Sequence, residues 1–339
     1  MSTILLTGGS GFIGSHTAVE LLNDGYQVII ADNLANSSIK VLDRIKQIVG
    51  KSPAFYETDI RDRKGLDEIF TENHIDSVIN FAGFKSVGES VEKPLAYYDN
   101  NICGAINLLN SMAEHGVKNF IFSSSATVYL PAEKSPITED EPVKRSPSPY
   151  GQTKVVIEQI CEDLYRSDNS WSLCMLRYFN PIGAHESGLI GESPNGIPNN
   201  LMPYITQVAV GRLEKLRVFG NDYPTPDGTG VRDYIHVVDL ARGHAAALRH
   251  CTGKPGFYTY NLGSGHGVSV LDIVRAFEKA NGLKIPYQVV KRRNGDVAEC
   301  YADASKAEIE LGWKTEKSLE DMMRDSWNWQ KQNPRGYEF

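Results

Sequence analysis

Short apolar runs alternate with longer helical patterns along the first half of the chain. Residues 4–8, 27–32, 54–59, 77–82, 119–125 and 171–178 read as strands. Residues 14–23, 39–49, 95–115 and 150–168 read as helices, the last two long. Strands that alternate with helices predict a parallel sheet covered on both faces. Right-handed crossovers then give an α/β, doubly wound, Rossmann-type sheet.

Beyond about residue 180 the texture changes. Residues 181–203 are rich in Gly, Pro, Asn and Ser, and shorter elements follow: helices near 200–212, 238–250 and 319–330, and a strand at 217–219. The pattern predicts a Rossmann domain over 1–180 and a smaller α/β lobe over 181–339, partly interleaved with it. The sequence has no internal repeat and no low-complexity tract.

Composition narrows the function classes. With 339 residues the chain can bury a large core. A formal net charge of −7 argues against a nucleic-acid partner, although local arginines can still hold an anionic small molecule. No apolar run reaches the roughly 18 residues of a membrane helix, and the N-terminus lacks the pattern of a signal peptide. The five cysteines are scattered, without redox-pair or zinc spacing, which points to a reduced, cytoplasmic protein without a metal.

The first strand ends in TGGSGFIGSH. Gly8, Gly11 and Gly14 stand where a tight turn, a close approach to a pyrophosphate and close helix–strand packing each require glycine. A merely tight turn would use the same residues. Asp32 ends the second strand, 18 residues after Gly14, where a carboxylate can accept both hydroxyls of an adenosine ribose. Its charge would repel a 2′-phosphate, which favours NAD over NADP. Asp59 could accept from the adenine amino group, or simply cap a helix.

The fifth strand ends at Ser125, and SPYGQTK follows 25 residues later at Tyr150. Tyr150 and Lys154 are four apart, so they share a helix face. Tyrosine ordinarily ionises near pH 10; bringing its phenolate to neutral pH takes roughly 4 kcal/mol of differential interaction. A nearby ammonium and a positive nicotinamide ring would supply it, making Tyr150 an acid/base with Ser125 bonded to the same substrate hydroxyl. In isolation, a solvated lysine beside a packed tyrosine gives the same spacing.

The stretches FAGFKSVGESVEKP, YYDNN, FSSSATVY, LRYFNPIGAH, GIPNNLMPYI, FGNDYPTPDGTGVRDYIHVVDLA and RRNGDV occur in an order that resembles the UDP-galactose (UDP-glucose) 4-epimerases. These belong to the extended, sugar-nucleotide-modifying branch of the short-chain dehydrogenases/reductases. The resemblance implies an NAD site lined by Phe12, Ile13, Asp32, Asn33, Asp59, Ile60, Phe81, Ala82, Gly83, Lys85, Asn100 and Phe179. Tyr150 and Lys154 would also hold the nicotinamide ribose, and Tyr178 would lie near the nicotinamide. Asn180 and Asn200 would bind the diphosphate and its sugar side, and residues 217–219 (Arg217, Val218, Phe219) the uracil. Arg232 and Arg293 would clamp the pyrophosphate, since a guanidinium meets phosphate oxygens in a bidentate way. Asp296 would bind the uridine ribose. Viewed singly, Arg232 could be only a salt-bridge partner of Asp233 or another acid, Arg292 and Arg293 a solvated pair, and Phe81 and Phe179 core.

The implied reaction is redox epimerisation at C4 of the hexose, interconverting UDP-galactose and UDP-glucose through a 4-keto sugar, with a homodimer built on helices 95–115 and 150–168. A nucleotide-sugar 4,6-dehydratase on this fold would need an Asp-Glu pair where Ala126 and Thr127 stand, and neither of those titrates usefully. A decarboxylase would need a uronic acid. A non-enzymatic NAD-binding protein would not be expected to keep Ser125, Tyr150 and Lys154. Two positions depart from the family pattern: Leu130 replaces a usual glycine and Asn294 a common glutamate. Cys300 occupies a place that in the family carries tyrosine or a small residue. A small residue leaves room for an N-acetyl group, so UDP-N-acetylglucosamine and UDP-N-acetylgalactosamine (UDP-GlcNAc and UDP-GalNAc) are expected substrates too.

Overall fold

The computed structural model describes residues 2–129, 134–293 and 296–337. Leu130 and Asn294, the two departures noted above, lie outside the described residues. Six strands arise in the first half: β1 Thr3–Thr7, β2 Gln27–Asp32, β3 Ala54–Glu57, β4 Ser77–Asn80, β5 Asn119–Ser125 and β6 Ser172–Tyr178. Together with Gly256–Leu262 they form one parallel sheet, ordered Gly256–Leu262, β6, β5, β4, β1, β2, β3. β1, β4 and β6 are buried along their whole length, as apolar runs covered on both faces should be.

The helices follow from local signals. Helix Pro149–Ser167 begins with Pro149 in its first turn, and the Ser148 side chain accepts from the Gly151 N–H. Helix Leu319–Gln332 opens with a reciprocal capping box between Ser318 and Asp321. One apolar layer joins β1, β2 and β6 to helices Phe12–Asn23, Lys40–Val49 and Val237–Cys251. The opposite layer joins Phe120, Phe122 and Leu173 to Leu66, Leu108 and Ile157.

One expectation is corrected. The single helix expected over 95–115 is broken into Pro94–Tyr98, a wide π turn Asp99–Cys103 and Gly104–Glu114. The π turn carries the buried Asn100 and Asn101; Asn101 Oδ1 accepts from the Phe84 N–H at 2.8 Å, and its Nδ2 donates to Thr153 Oγ1 at 3.0 Å. Such widenings often mark functional positions. The chain returns to the large sheet after residue 180, where Gly256–Leu262 pairs with β6 over seven residues.

The remaining elements build a second, smaller assembly. Val231–His236 pairs in parallel with Asn180–Ile182 and Glu299–Cys300, and antiparallel with Gly267–Ser269. Leu216–Phe219 pairs with Tyr287–Val290. Ile205, Val218, Ile273, Phe277 and Met323 fill the core between helices Leu201–Ala209, Val270–Asn281 and Leu319–Gln332. The strand order of the large sheet reverses between β1 and β4, which opens a crevice at their C-terminal ends, the place where such sheets receive ligands.

Candidate active site

The crevice is lined by Gly8, Gly11, Phe12, Ile13, Gly14, Asp32, Asn33, Ile60, Phe81, Ala82, Gly83, Lys85 and Asn100, together with Ser10, Ser37 and Ser123. Most of the residues assigned to the cofactor from sequence therefore converge. Gly8 has φ +70°, and a Cβ there would lie 2.6 Å from the Ala82 nitrogen. Gly14 would collide with Gly8 and Gly9 at 2.7 Å. Both glycines are required by close approach, and Gly8 by its backbone angle as well. Helix Phe12–Asn23 starts at Gly11 with no side chain bonded to its first N–H groups, so its N-terminus can receive an anion.

Asp32 is buried beside this loop. Its Oδ2 accepts from the Ser10 N–H at 3.0 Å, and its Oδ1 from the Leu34 N–H and Ser37 Oγ at 2.9 and 2.8 Å. Those bonds aim the carboxylate along the crevice. Asp59 lies past the end of β3, which stops at Glu57, two residues earlier than expected. Arg61 grips its carboxylate through Nε and Nη2 at 3.0 and 2.9 Å, and Asn33 donates at 2.8 Å, so the carboxyl is held down at about 2. Asp59 thus braces the Asp32 end of the crevice through Asn33. Across the crevice Lys85 Nζ meets Glu192 at 2.8 Å, and Asn200 Nδ2 reaches the same Glu192 oxygen at 3.0 Å.

Next to Ser123, which lines this crevice, Tyr150 faces the Ser125 hydroxyl, and Lys154 stands one turn beyond Tyr150. Lys154 Nζ donates to the Ser123 carbonyl at 2.6 Å and sits 5.9 Å from the Tyr150 ring centre. Burial brings Lys154 down to about 8, opposed by the Glu158 carboxylate. The expected lowering of Tyr150 is not a property of the polypeptide alone: burial pushes its phenol up, and only the Ser125 hydroxyl pulls it down. The lysine's ammonium is turned onto a main-chain carbonyl, so further positive charge is needed to favour the phenolate.

Tyr178 and Phe179 leave β6 in different directions. The Tyr178 hydroxyl donates to His244 Nε2, whose Nδ1–H faces the Leu240 carbonyl at 2.8 Å. Burial lowers His244 to about 4, which keeps it a neutral acceptor. The Phe81 ring packs against His244 with 4.9 Å between centres. Phe179 instead joins Ala126, Val128, Val155 and Cys300 in a separate apolar cluster.

The residues assigned to the substrate come from five segments of the smaller assembly. Asn180 is exposed at the start of its strand, and Asn200 precedes helix Leu201–Ala209. Phe219 is flanked by the Arg217 and Arg293 guanidinium groups at 5.4 and 4.7 Å from its ring centre, while Val218 is buried beneath. Arg293 bonds to Asp296 at 3.1 Å. Arg232 Nη1 donates to the carbonyls of Val231 and Val297 at 2.8 and 3.0 Å, with Nη2 3.8 Å from Asp296. Asp233 is occupied by Ser264, Gly265 and Ala302, so it is not the partner of Arg232. Cys300 pairs in register with Arg232, and its thiol is buried and pushed up to about 11. That makes it an inert wall rather than a nucleophile. No group of His, Cys, Asp and Glu among the described residues could hold a metal ion.

Several residues of this site were not picked out from sequence. Glu158 lies four after Lys154 on the same stripe, a spacing visible in the sequence. Its partners, Ser124 Oγ at 2.5 Å and Arg177 at 3.0 and 2.6 Å, become visible only with the strand register. Ser37, Glu192 and Tyr337 reach the crevice from distant loops.

A family model described as GDP-mannose 4,6 dehydratase matches residues 5–326. A UDP-glucose 4-epimerase of Bacillus subtilis (strain 168) is 59% identical over 334 residues, 98% of either chain. One from Haemophilus influenzae is 60% identical over 334 residues, covering 98% of this chain and 99% of that one. The fold matches a UDP-glucose 4-epimerase from Bifidobacterium longum, solved in complex with NAD+ and UDP, with a TM-score of 0.97. That chain is 56% identical, and the match covers 99% of this chain and 100% of that one.

Proposed function

The chain belongs to the extended short-chain dehydrogenase/reductase family that this dehydratase model describes, and within it to the UDP-glucose 4-epimerases; on that premise we propose that it interconverts UDP-galactose and UDP-glucose as an NAD-dependent isomerase of galactose metabolism. The observation that carries this reading is the grouping of Ser125, Tyr150 and Lys154 next to Ser123, which lines the crevice that the glycine loop and Asp32 also line.

The crevice fits a dinucleotide. A Cβ at Gly8 or Gly14 would fill the space the backbone needs to pass, and the uncapped helix start at Gly11 offers N–H donors to a pyrophosphate. Asp32 would hold the adenosine ribose, and Lys154 with Tyr150 the nicotinamide ribose. When bound, NAD supplies the acceptor, and later the donor, of the hydride at C4 of the sugar.

The protein's part is proton transfer and orientation. Ser125 orients the 4-hydroxyl; Tyr150 removes its proton and later returns it to the reduced oxygen. Lys154 keeps positive charge beside the tyrosine at pH 7, since its proton is lost only near pH 8. Arg232, Arg293, Asp296 and Phe219 hold the UDP moiety while the 4-keto sugar turns to present its other face. A firm hold on UDP also prevents escape of the ketone. Incubation with UDP-galactose followed by sugar identification tests the reading: UDP-glucose is expected, and its absence would sink the proposal.

Cys300 extends the substrate range. Its small side chain packs with Phe179 and Val128 in register with Arg232, where it takes up less space than a tyrosine and so supports room for a C2 N-acetyl group. UDP-GlcNAc and UDP-GalNAc are therefore proposed substrates beside the plain hexoses. Residues 1–180, with the returning strand Gly256–Leu262, would serve the cofactor, and the rest of 181–339 the UDP-sugar. The exposed Val91, Leu95 and Ile106 near the broken helix support a homodimer seated there, which light scattering would test. A cytoplasmic enzyme is consistent with five free cysteines.

A further inference from the structure

We propose that Glu158 is a positioning residue for the acid–base trio: through Ser124 on β5 and Arg177 on β6, it locks the end of the sheet against the helix that carries Tyr150 and Lys154. The proposal rests on the epimerase reading above.

Helix residues 150, 154 and 158 recur every four positions and form one stripe. Each meets one of the three serines that end β5. Tyr150 faces the Ser125 hydroxyl, Lys154 donates to the Ser123 carbonyl at 2.6 Å, and Glu158 accepts from the Ser124 hydroxyl at 2.5 Å. The sheet register pairs Ser124 with Arg177, so the guanidinium lies beside the serine and under the helix. Arg177 binds both Glu158 oxygens, Nε to Oε1 at 3.0 Å and Nη2 to Oε2 at 2.6 Å. Its Nη1 donates to the Tyr129 hydroxyl at 2.9 Å.

Tyr129 closes the short turn Ala126–Tyr129 that begins directly after Ser125. The network therefore pins Ser125 from both sides: Ser124 before it and Tyr129 after it. Tyr129 continues the chain of bonds to Asn261 Oδ1 at 2.7 Å, and Asn261 Nδ2 donates to the carbonyls of Ile137 and Asp303. Those residues flank the strand that ends in Cys300. One connected set of hydrogen bonds thus runs from the catalytic helix to the wall of the substrate pocket.

A buried ion pair of this kind contributes little stability against well-packed apolar residues of similar size, whereas it fixes geometry tightly. Glu158 and Arg177 are 6% and 7% exposed at their side chains, and every oxygen and donor nitrogen of the pair has a bonded partner. The Glu158 charge also opposes the loss of the Lys154 proton that burial promotes. A misplacement of about 1 Å at such a site can lower turnover by roughly 100-fold without changing what binds.

The test measures bound NAD, KM for UDP-galactose, kcat and thermal midpoint in the wild type, Ser124→Ala, Glu158→Gln and the double variant Glu158→Gln/Arg177→Met. The double variant avoids leaving Arg177 buried and unpaired. In Ser124→Ala and the double variant, kcat falls by about tenfold or more, with KM and NAD content within about twofold of wild type. A double variant that folds, holds NAD and keeps wild-type kcat overturns the proposal; if it does not fold, Ser124→Ala decides by the same criterion. An inactive wild type overturns the epimerase reading and this proposal with it, whereas active wild type with unaffected variants overturns this proposal alone.

Discussion

The Lys154 ammonium donates at 2.6 Å to the main-chain carbonyl of Ser123, two residues before Ser125 on the same strand. The lysine is thus tied to the strand that carries the serine, while its helix carries the tyrosine. The ammonium is held 5.9 Å from the phenol ring centre rather than bonded to its oxygen. In the polypeptide, burial keeps Tyr150 protonated. On the proposed reading, a positive nicotinamide ring bound there would add to the charge of Lys154 and favour the phenolate. Proton removal would then depend on oxidised cofactor.

Lys154→Met should separate activity from stability. Burial lowers the lysine from 10.5 to about 8, so between those values the unfolded chain holds the proton more tightly. The lysine therefore opposes folding below about pH 8, and the opposition fades as pH rises through that window. The methionine variant should lose about 100-fold or more in kcat. Its thermal midpoint at pH 7 should equal or exceed that of wild type, with the difference narrowing toward pH 10. A variant much less stable than wild type would contradict this account of the buried charge.

Gly8→Ala should remove the cofactor. The methyl group would lie 2.6 Å from the Ala82 nitrogen, on a backbone at φ +70°. The loop must shift, and strain at such a position is on the order of 1–3 kcal/mol. Purified variant protein is expected to carry little NAD by absorbance after denaturation. Full NAD occupancy would count against the close approach of β1 and β4 as the reason for this glycine.

Arg232→Lys should weaken UDP-sugar binding without affecting NAD. Arg232 is oriented by two carbonyls, an arrangement that a single ammonium cannot reproduce. Hydrogen bonds to charged groups contribute roughly 1.5–3 kcal/mol, which corresponds to about tenfold or more in affinity for UDP. Calorimetric titration with UDP would show it, and unchanged affinity would remove Arg232 from the diphosphate clamp.

Cys300→Tyr should abolish turnover of UDP-GlcNAc and spare that of UDP-galactose. The thiol is buried beside Phe179, so a phenol ring there would need space that, on the proposed reading, the C2 substituent uses. Wild type that ignores both N-acetylated substrates would refute the volume argument, whatever the variant does.

Much of this arrangement was legible because the sheet core is written in local apolar runs such as TILLT and SLCMLRY. The glycine loop and the Tyr150–Lys154 spacing are local too. The broken helix was not, since Asn100 and Asn101 sit inside an otherwise continuous helical pattern and are explained only by Phe84 and Thr153 across the crevice. The seventh strand, GFYTYNL, alternates too little with its surroundings to stand out, and its position depends on pairing with β6. Glu158 lay in plain view on the Tyr150–Lys154 stripe. What the linear sequence could not supply was Arg177, which arrives through strand register alone.

The central claim is that C4 of the sugar is oxidised and reduced within one closed site. UDP-galactose carrying deuterium at C4, turned over by the purified protein in ordinary water, tests it most directly. The account predicts UDP-glucose with the deuterium retained at C4, because the abstracted hydride has no exchange with solvent before it returns. Product with the label washed out, or no UDP-glucose at all, would contradict it.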